Sequence, residues 1–300
     1  MQTLHLKNSR LHLAIEPGAG ASISSFALCR DGQWVPILRP TPPEDIASGN
    51  SSAMSSFLLA PFSNRLTDAR FSFAGQDYQL QANAEGGFAI HGCVRKRPWT
   101  LQEQTADRLQ LSLRTDEFPD LDFPFPFDVL ITYEITEDTL SASLALTNTG
   151  PAPMPAGLGF HPYFQRSLFD PEENAELRFS ATGAYASLSP EEAAAPLQPD
   201  QKFSSSRAIP HEGFDTCFAG WNHQADIRWP GSGLTGELRA DPTLGHLILF
   251  TPPGESFFAL EPVSNANNGF NLFARHIPDS GVQVLAPRRT LIAGFRLRLC

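Results

Sequence analysis

Residues 139–148 read Thr-Leu-Ser-Ala-Ser-Leu-Ala-Leu-Thr-Asn, with an apolar side chain at every second position from Leu140 to Leu146. Successive side chains of a β-strand point to opposite faces, so this period of two predicts a strand. Sustained 3.6-residue periodicity, the sign of an amphipathic helix, is almost absent from the chain. Further alternating segments occupy residues 4–6, 11–15, 109–113 and 130–135. We therefore expect an all-β chain.

Short turns separate several of these segments. Residues 23–28 and 34–38 read as a hairpin around Asp31-Gly32, and residues 70–80 alternate on both sides of a second glycine turn. Later strands are expected at residues 247–250, 257–260, 282–285 and 295–299. The sequence has neither a repeat of fixed period nor a linker. We expect one large antiparallel β domain spanning residues 1–300, a length that all-β folds approach as single units.

Three segments lack the strand pattern. Residues 40–56 are rich in proline and serine and predict a surface loop. Residues 116–128 are acidic and rich in phenylalanine and proline, which predicts a loop that packs aromatic rings down over the sheet. Residues 186–212 hold few large apolar side chains, and residues 191–195 form at most one helical turn.

Composition limits the classes of partner. Apolar residues make up 41% of the 300 residues and charged residues 18%, which is typical of a globular protein. Acidic residues outnumber basic ones by 32 to 22, and the net charge of −10 argues against nucleic acid or an anionic membrane as the main partner. A neutral small molecule fits this charge better.

The chain start and the cysteines indicate a compartment. Residues 1–7 mix polar and apolar side chains unlike a secretory signal, and no apolar run approaches the length of a membrane span. The four cysteines, Cys29, Cys93, Cys217 and Cys300, lie far apart, so we expect small buried thiols, no structural zinc and a reducing cytoplasm.

A glycine pair near the start does not indicate a dinucleotide loop. Gly18 and Gly20 match the first two positions of the phosphate-binding pattern, but the third position is Ile23. No helical pattern follows, and such a loop requires a strand, a glycine turn and a helix.

Glu261 is the first candidate for chemistry. It follows the apolar run Phe257-Phe258-Ala259-Leu260 and precedes Pro262. A carboxyl group among apolar neighbours loses hydration, which disfavours its charged form and raises its pKa toward that of a general base at neutral pH. The alternative is a hydrated carboxylate at a strand end that the proline terminates.

Other polar residues occur in similar apolar or turn settings. Arg65, after Asn64, offers five donors suited to hydroxyl groups or a carboxylate. His91 precedes a glycine, His161 lies among aromatic residues, and Asp215 follows a phenylalanine. Each has an ordinary structural explanation by itself. Together they predict an acid/base pair of a histidine with Glu261, and hydrogen-bonding groups for a polyol.

Over nearly its full length the chain resembles the aldose 1-epimerases, or galactose mutarotase-like proteins. The matching segments follow the order of that family: Pro61-Phe62-Ser63-Asn64-Arg65, Phe71-Ser72-Phe73-Ala74-Gly75, Ile90-His91-Gly92 with Trp99, His161-Pro162-Tyr163-Phe164, Phe214-Asp215, Leu260-Glu261-Pro262 with Asn271, and Val284-Leu285-Ala286-Pro287. Each segment is short, but their shared order is a specific signal.

The resemblance implies a large twisted antiparallel β-sandwich with an open cleft on one sheet. It also implies that Glu261 is the general base on the anomeric hydroxyl and His161 the general acid on the ring oxygen. Asn64, Arg65, His91 and Asp215 would bind the sugar. Such an enzyme interconverts the α and β anomers of an aldohexose without a metal or another cofactor, as a monomer or homodimer.

Two departures from the family leave the sugar open. Gln165-Arg166 follows the His161 motif, and residues 263–268 after Glu261-Pro262 lack the Asp-Ala common in many members. A hexose-6-phosphate 1-epimerase is one alternative, since Arg65, Arg95, Lys96 and Arg97 could bind a phosphate. A glycosidase using Glu261 and Asp215 is another, and a sugar-binding protein without turnover is a third.

Overall fold

The alternating segments form strands, and most of these strands belong to two antiparallel sheets. A computed structural model describes residues 2–211 and 213–300, and in that part of the chain it contains 26 β-strands and two α-helices. In chain order the strands begin with β1 Leu4–Lys7, β2 Leu11–Glu16, β3 Ser22–Arg30, β4 Gln33–Pro36, β5 Ser56–Leu59, β6 Arg65–Leu66, β7 Arg70–Phe73, β8 Gln76–Gln79 and β9 Ala89–Ile90. They continue with β10 Thr100–Gln104, β11 Arg108–Arg114, β12 Phe127–Ile135, β13 Thr139–Asn148, β14 Met154–Ala156, β15 Gly159–Gln165, β16 Glu176–Phe179, β17 Gly183–Ala184 and β18 Ala195–Pro196. The last are β19 Arg207–Ala208, β20 Asp215–Ala219, β21 Gln224–Trp229, β22 Leu234–Ala240, β23 His246–Phe250, β24 Phe257–Val263, β25 Gln283–Leu285 and β26 Thr290–Leu299.

The strand order mixes distant parts of the sequence. The large sheet has eleven strands in the order β1-β2-β3-β5-β15-β24-β23-β20-β17-β18, with β4 paired to β3. The second sheet has nine strands in the order β10-β11-β12-β13-β26-β22-β21-β16-β19. Both sheets combine strands from the two halves of the chain. The assignment of residues 1–300 to one domain stays a prediction.

The two large sheets pack face to face. Along β12 and β13 buried and partly exposed positions alternate, and the buried positions belong to one continuous apolar core. Phe160 of β15 contacts Phe295 of β26 with ring centroids 4.9 Å apart. The Tyr133 hydroxyl of β12 donates to the Ala21 carbonyl oxygen, 2.9 Å away, beside β3. The predicted all-β sandwich is confirmed.

The middle strands of the large sheet are buried on both faces. All four residues of β5 are buried, and β15 and β24 are buried except at one end. One face, with Phe160 and Leu260, packs on the second sheet. On the opposite face Phe57, Tyr163 and Ala259 belong to a separate apolar cluster. This opposite face carries the candidate site.

Both predicted hairpins are present. β3 and β4 join through Asp31 and Gly32, and β7 and β8 join through Ala74 and Gly75. All four turn residues have positive φ, the conformation that two-residue hairpin turns of the favoured hand require.

The strand that contains Glu261 is longer than the sequence indicated. The prediction ended it at residue 260, but β24 continues through Glu261 and Pro262 to Val263. Because proline lacks an N–H, it is normally confined to strand edges. Pro262 nevertheless lies in a central strand, at a point where regular pairing with β15 is interrupted. The prediction that Glu261 could mark a hydrated strand end was therefore wrong.

The surface-loop prediction for residues 40–56 needs correction, and one short helix was not predicted. Residues 40–56 include α1 (Pro43–Ser48), a 3-10 turn at Ser51–Ala53 and the start of β5, and residues 54–56 are buried rather than on the surface. α2 (Gly269–Ala274) was missed because a helix of this length is too short to show periodicity. No helical turn forms at residues 191–195, all of which lie in the described part of the chain.

The segment of residues 116–128 packs its rings on the second sheet and also on two smaller elements. Phe123 contacts Phe127 of β12, with ring centroids 5.9 Å apart. Phe123 stacks on Phe71 of β7 and contacts Phe270 of α2, with centroids 5.9 and 6.4 Å apart. These rings therefore lie over a small hairpin and α2. Phe127 already belongs to β12.

The cysteines and the helices complete the description. Cys217 is buried, Cys29 and Cys93 are partly buried and Cys300 is exposed, so burial was wrongly expected for Cys300. All four thiols are free. Neither helix of the described residues has the length and apolarity to cross a membrane.

Gly92 holds the backbone beside the candidate site. Its φ is +67°, and a Cβ there would lie 1.9 Å from the Ala60 carbonyl oxygen. Gly75 has φ +77° with no atom within 4 Å of the same position. The two glycines therefore share the backbone requirement but differ in the space around them.

We predict that Gly92→Ala destabilises the protein more than Gly75→Ala does. Both variants carry the cost of left-handed backbone, about 1–2 kcal/mol. Only Gly92→Ala adds a clash with backbone atoms, worth roughly a further 1–3 kcal/mol. Urea unfolding of the two variants measures the difference, and equal losses in the free energy of unfolding would contradict the expected clash.

Candidate active site

His161 and Glu261 lie opposite each other on neighbouring central strands. Gly159 pairs with Val263 and Tyr163 with Ala259, so the register of β15 and β24 places His161 against Glu261 midway between these pairs. The His161 Nε2 and Glu261 Oε1 atoms are 3.2 Å apart. The predicted acid and base, which are 100 positions apart in the sequence, are thus direct neighbours in the structure.

The backbone at this point brings the two side chains close. The Tyr163 amide donates to Ser55 on the β5 side, so His161, two residues earlier, also directs its amide away from β24. His161 and Glu261 therefore occupy a non-hydrogen-bonded pair, the arrangement in which opposed side chains come closest. Pro162 and Pro262 flank the pair and have no N–H to donate to the ladder.

Apolar neighbours remove water from both groups. In one row across five strands, Phe57 faces His161, Glu261 faces Ile248, and Ile248 faces Cys217. His161 and Glu261 are only 4% and 2% exposed. A charge in such a setting has lost hydration that the neighbouring side chains cannot replace.

Burial shifts both pKa values toward the neutral forms. It raises the pKa of Glu261 well above its usual value, and the nearby Asp215 carboxyl raises it further while Arg65 acts in the opposite direction. Burial also lowers the pKa of His161 well below its usual value, assisted by the positive charges of Arg39 and Arg95. A pair that holds one proton, on Glu261, leaves both side chains neutral, as both pKa shifts favour. Because the two groups are in contact, they titrate as a pair.

Arg65 reaches the same cleft from β6. Its Nη1 donates to the Asn64 Oδ1 at 3.1 Å, and its Nη2 lies 3.4 Å from the Asp215 Oδ2. Burial raises the pKa of Asp215, and the Arg65 charge partly opposes this shift. The three residues come from β6, the loop before it and the start of β20, so tertiary packing assembles them.

The loop after β24 anchors the segment that carries Arg65. Asn265 accepts from the Ser63 amide at 3.0 Å, and the Ser63 hydroxyl donates to the Asn265 carbonyl oxygen at 2.8 Å. The Asn268 amide donates to the Arg65 carbonyl oxygen at 2.7 Å. Residues 263–268, where the sequence departs from the family pattern, therefore position Arg65, which the sequence analysis predicted to bind the sugar.

His91 packs next to His161. Their rings meet edge to face with centroids 5.1 Å apart, and Phe57 contacts both rings. Burial, followed by the positive potential of His161 and Arg95, lowers the pKa of His91 well below its usual value, so the ring is neutral. Its φ is +63°, a conformation that non-glycine residues rarely adopt and that is found often at functional sites.

Several buried polar atoms around the pair have no hydrogen-bond partner among the described residues. They are the His91 Nδ1, His161 Nδ1, Glu261 Oε2 and Asn267 Oδ1 atoms. Buried polar groups in native proteins are nearly always paired, so this set of atoms can bind water or a polar ligand in the cleft. Within residues 2–211 and 213–300, no three His, Cys, Asp or Glu side chains could together hold a metal ion.

The structure adds residues that the sequence reasoning left out. Tyr163 lies 4.6 Å from the His161 ring centroid, and the Arg39 guanidinium stacks on Tyr163 at 3.7 Å. Arg39 follows an ordinary strand and precedes a proline-rich loop, so no local pattern distinguishes it. Tyr163 lies two residues from His161 in the same strand, and strand periodicity alone would have placed it on the same face.

The sequence matches the model of one protein family along nearly its whole length. The model of the aldose 1-epimerases matches residues 2–299. The chain belongs to the aldose 1-epimerase family.

Relatives within this family share its length and fold. The chain is 28% identical to the uncharacterized protein YphB of Escherichia coli K12 over 284 residues, covering 90% of this chain and 91% of that protein. A crystal structure of an E. coli K12 protein provisionally named an aldose 1-epimerase superposes with a TM-score of 0.84 at 27% identity, covering 100% of this chain and 99% of that one. A galactose mutarotase-like protein from Clostridium acetobutylicum reaches a TM-score of 0.87 at 17% identity, covering 99% and 95%, and supports the fold.

We predict that Glu261→Gln stabilises this aldose 1-epimerase family member at neutral pH. An unfolded Glu ionises above about pH 4.5, whereas the buried Glu261 holds its proton to higher pH. The unfolded state therefore releases its proton first, and the burial of Glu261 costs stability that grows as pH rises through this range. A neutral amide of the same shape avoids this cost.

Thermal unfolding at two pH values checks this prediction. At neutral pH the Glu261→Gln variant should melt at a higher temperature than the wild type, and near pH 4 the difference should vanish. Glu192→Gln, at an exposed position, is the matched control and should change little at either pH. A lower melting temperature for Glu261→Gln at neutral pH would show that the charge of Glu261 is stabilising.

Proposed function

We propose that the protein is an aldose 1-epimerase in activity as well as family, and that it interconverts the α and β anomers of an aldohexose. The observation that carries the proposal is the buried contact of 3.2 Å between the His161 Nε2 and the Glu261 Oε1. The hydroxyl oxygen and the ring oxygen of an aldose are bonded to the same carbon, so an acid and a base must act on two neighbouring atoms. A converging His–Glu pair meets this requirement.

The reaction begins with ring opening. The charge-separated form of the pair reacts, in which His161 carries the single proton. The Glu261 carboxylate takes the proton from the anomeric hydroxyl, and the electron pair of that O–H bond forms the carbonyl of the open-chain aldehyde. The bond between the anomeric carbon and the ring oxygen breaks, and the ring oxygen takes a proton from His161. Each proton transfer by a positioned group contributes roughly 10²–10⁴-fold in rate.

Ring closure reverses both proton transfers. Rotation about the bond between the first and second carbons presents the other face of the aldehyde. His161, now neutral, removes the proton from the attacking hydroxyl, and the protonated Glu261 returns a proton to the carbonyl oxygen. The pair ends the cycle with the protons where they began. Nothing is oxidised and no group is transferred, so the proposed mechanism is independent of cofactors.

The remaining polar groups fit the binding of a sugar. Arg65 with its partners Asn64 and Asp215 offers donors and acceptors at one side of the pair, and His91 adds a neutral ring nitrogen. Sugar hydroxyls both donate and accept, which suits this mixture. Phe57 and Tyr163 supply apolar surface for the carbon face of a ring.

We predict that substitutions at the pair remove activity while the fold is kept. Glu261→Gln and His161→Asn should each lower kcat by roughly 10²-fold or more, because each removes one proton transfer. Arg65→Ala should raise KM and lower kcat, by about tenfold or more in kcat/KM, since charged hydrogen bonds are lost. Exchange NMR of freshly dissolved α-D-glucose and α-D-galactose, corrected for the rate in buffer, measures these effects.

Controls separate this prediction from alternatives. Arg178→Ala removes an exposed ion pair with Asp226 on the second sheet and should leave the rate within about twofold. Full activity in Glu261→Gln would refute the mechanism. Hydrolysis of nitrophenyl glycosides that requires Glu261 would indicate a glycosidase, and sugar binding by calorimetry without any rate enhancement would indicate a binding protein.

We predict a bell-shaped dependence of kcat/KM on pH. At low pH the pair gains a second proton and loses its base, and burial places this acid limb below the usual histidine pKa of 6.5. At high pH the pair loses its only proton and with it the acid, and burial places this alkaline limb well above the usual glutamate pKa of 4.5. The two apparent values belong to the pair. A rate that rises steadily with pH, as for hydroxide catalysis, would contradict this assignment.

A further inference from the structure

Two further arginines lie near His161 of β15. Arg95 lies over Phe57 of β5, whereas Arg65 pairs with Asp215 of β20, on the other side of β15 in the strand order. Arg39 follows β4, and its Nη2 donates to the carbonyl oxygens of Ser52 and Met54 at 3.0 and 2.8 Å. Arg95 follows the His91 segment, and its Nη1 donates to the Ser52 hydroxyl at 2.7 Å. Both guanidiniums therefore converge on the same serine.

Neither guanidinium has a carboxylate partner. Among the described residues, no carboxylate oxygen lies within 4.0 Å of Arg39 or Arg95. The acidic groups that face Arg39 are Asp45, which is partly buried, and Glu255, which is exposed. Arg65, on the other side of the cleft, is paired with Asp215. The two ends of the cleft thus differ in net charge.

Burial makes this arrangement costly. Arg95 is 5% exposed, and its Nε has no partner among the described residues, as is also true of the Arg39 Nε. Burial lowers the pKa of both guanidiniums from their usual value. A buried charge is normally paired, and two like charges close together repel each other. An anion between them would relieve both costs.

Arg166 is the structural comparison for Arg95, and the Nε atoms of both arginines have no partner among the described residues. Arg166 is also 5% exposed and lacks a carboxylate partner. Its guanidinium, however, donates to the carbonyl oxygens of Ile209 and Pro210 and to the Asn174 side chain. The structure gives Arg95 a single side-chain hydrogen bond among the described residues, although guanidinium carries five N–H donors.

Aromatic rings hold the two guanidiniums in place. Arg39 lies over Tyr163 at 3.7 Å and over Phe257 at 4.6 Å, and Arg95 lies over Phe57 at 5.1 Å. Stacking fixes the plane of each guanidinium and leaves its N–H edges for a ligand. Burial raises the pKa of Tyr163 to about 12, so its hydroxyl remains protonated beside Arg39.

We propose that Arg39 and Arg95 form an anion-binding subsite beside the His161–Glu261 pair, and that the preferred substrate is an aldose bearing a negatively charged group. This inference rests on the proposed epimerase function. The shared chemistry is that of a carboxylate, sulfonate or phosphate, each of which offers oxygens to two guanidinium forks. An anionic substrate differs from the neutral one expected from the overall charge, because Arg39 and Arg95 have no carboxylate partner among the described residues.

Calorimetric titration tests the subsite without requiring turnover. The ligands are D-glucuronate, 6-deoxy-6-sulfo-D-glucose and D-glucose 6-phosphate, with D-glucose as the neutral reference at the same ionic strength. At least one anionic sugar should bind roughly tenfold or more tighter than glucose, the size expected of charge-assisted hydrogen bonds. The order among the three identifies the charged group.

Variants assign the preference to the two arginines. Arg39→Gln and Arg95→Gln should each reduce the ratio of anionic to neutral affinity by roughly tenfold. Arg65→Gln is the matched control, because it should weaken both kinds of sugar and leave this ratio unchanged. If Arg95→Gln does not fold, Arg95→Lys tests the same position, because it keeps the buried positive charge but not the guanidinium fork. Its preference for anionic over neutral sugars should be smaller than that of the wild type.

The outcomes separate the subsite from the proposed function. If the anionic sugars bind no tighter than glucose, or if the preference survives in Arg39→Gln and Arg95→Lys unchanged, the subsite is refuted. Exchange NMR on the same sugars then still tests the epimerase. If the anionic sugars show an arginine-dependent preference but no sugar interconverts faster than in buffer, the subsite stands and the epimerase function fails.

Discussion

The contact between His161 and Glu261 imposes the main constraint on this structure. A carboxyl group and an imidazole lie against each other inside a sheet, with Phe57 and Ile248 on either side. Each group by itself would resist burial in its charged form. As a pair they can hold one proton between them, and the neutral and the charge-separated forms contain the same number of protons. The same environment that costs stability therefore keeps the pair ready for proton transfer.

The packing of the two sheets determines which face of β15 and β24 carries this pair. The second sheet covers one face of β15 and β24, and its packing with Phe160 and Leu260 leaves the His161 side chain only the opposite face. On that face the cover comes from segments that are not part of either large sheet. Asn265 and Asn268 tie down the Arg65 segment. Rigid strands beneath the site and hydrogen-bonded loops around it allow precise placement of side chains.

The cleft has two chemically different ends. Arg65 is neutralised by Asp215 and supported by Asn64, so that end offers a balanced set of donors and acceptors. Arg39 and Arg95 are stacked on aromatic rings and share only Ser52. Their positive charges also lower the pKa of His161. An anion bound at that end, as proposed above, would reduce this effect and so couple substrate binding to the acidity of His161.

Local sequence determined most of the strands and the identity of the chemical groups. The alternation in residues 139–148 and the turn at Asp31-Gly32 are set by neighbours in the chain, because side-chain direction and turn conformation are local properties. The ordered motifs likewise indicated His161, Glu261 and the Arg65 group.

Tertiary structure decided how these groups meet. Glu261 lies in the middle of a strand despite Pro262, and Arg39 and Arg95 converge on Ser52, because strand register and loop packing join segments far apart in the chain. Burial, and with it the pKa of each group, depends on those distant neighbours and cannot be read from the adjacent residues.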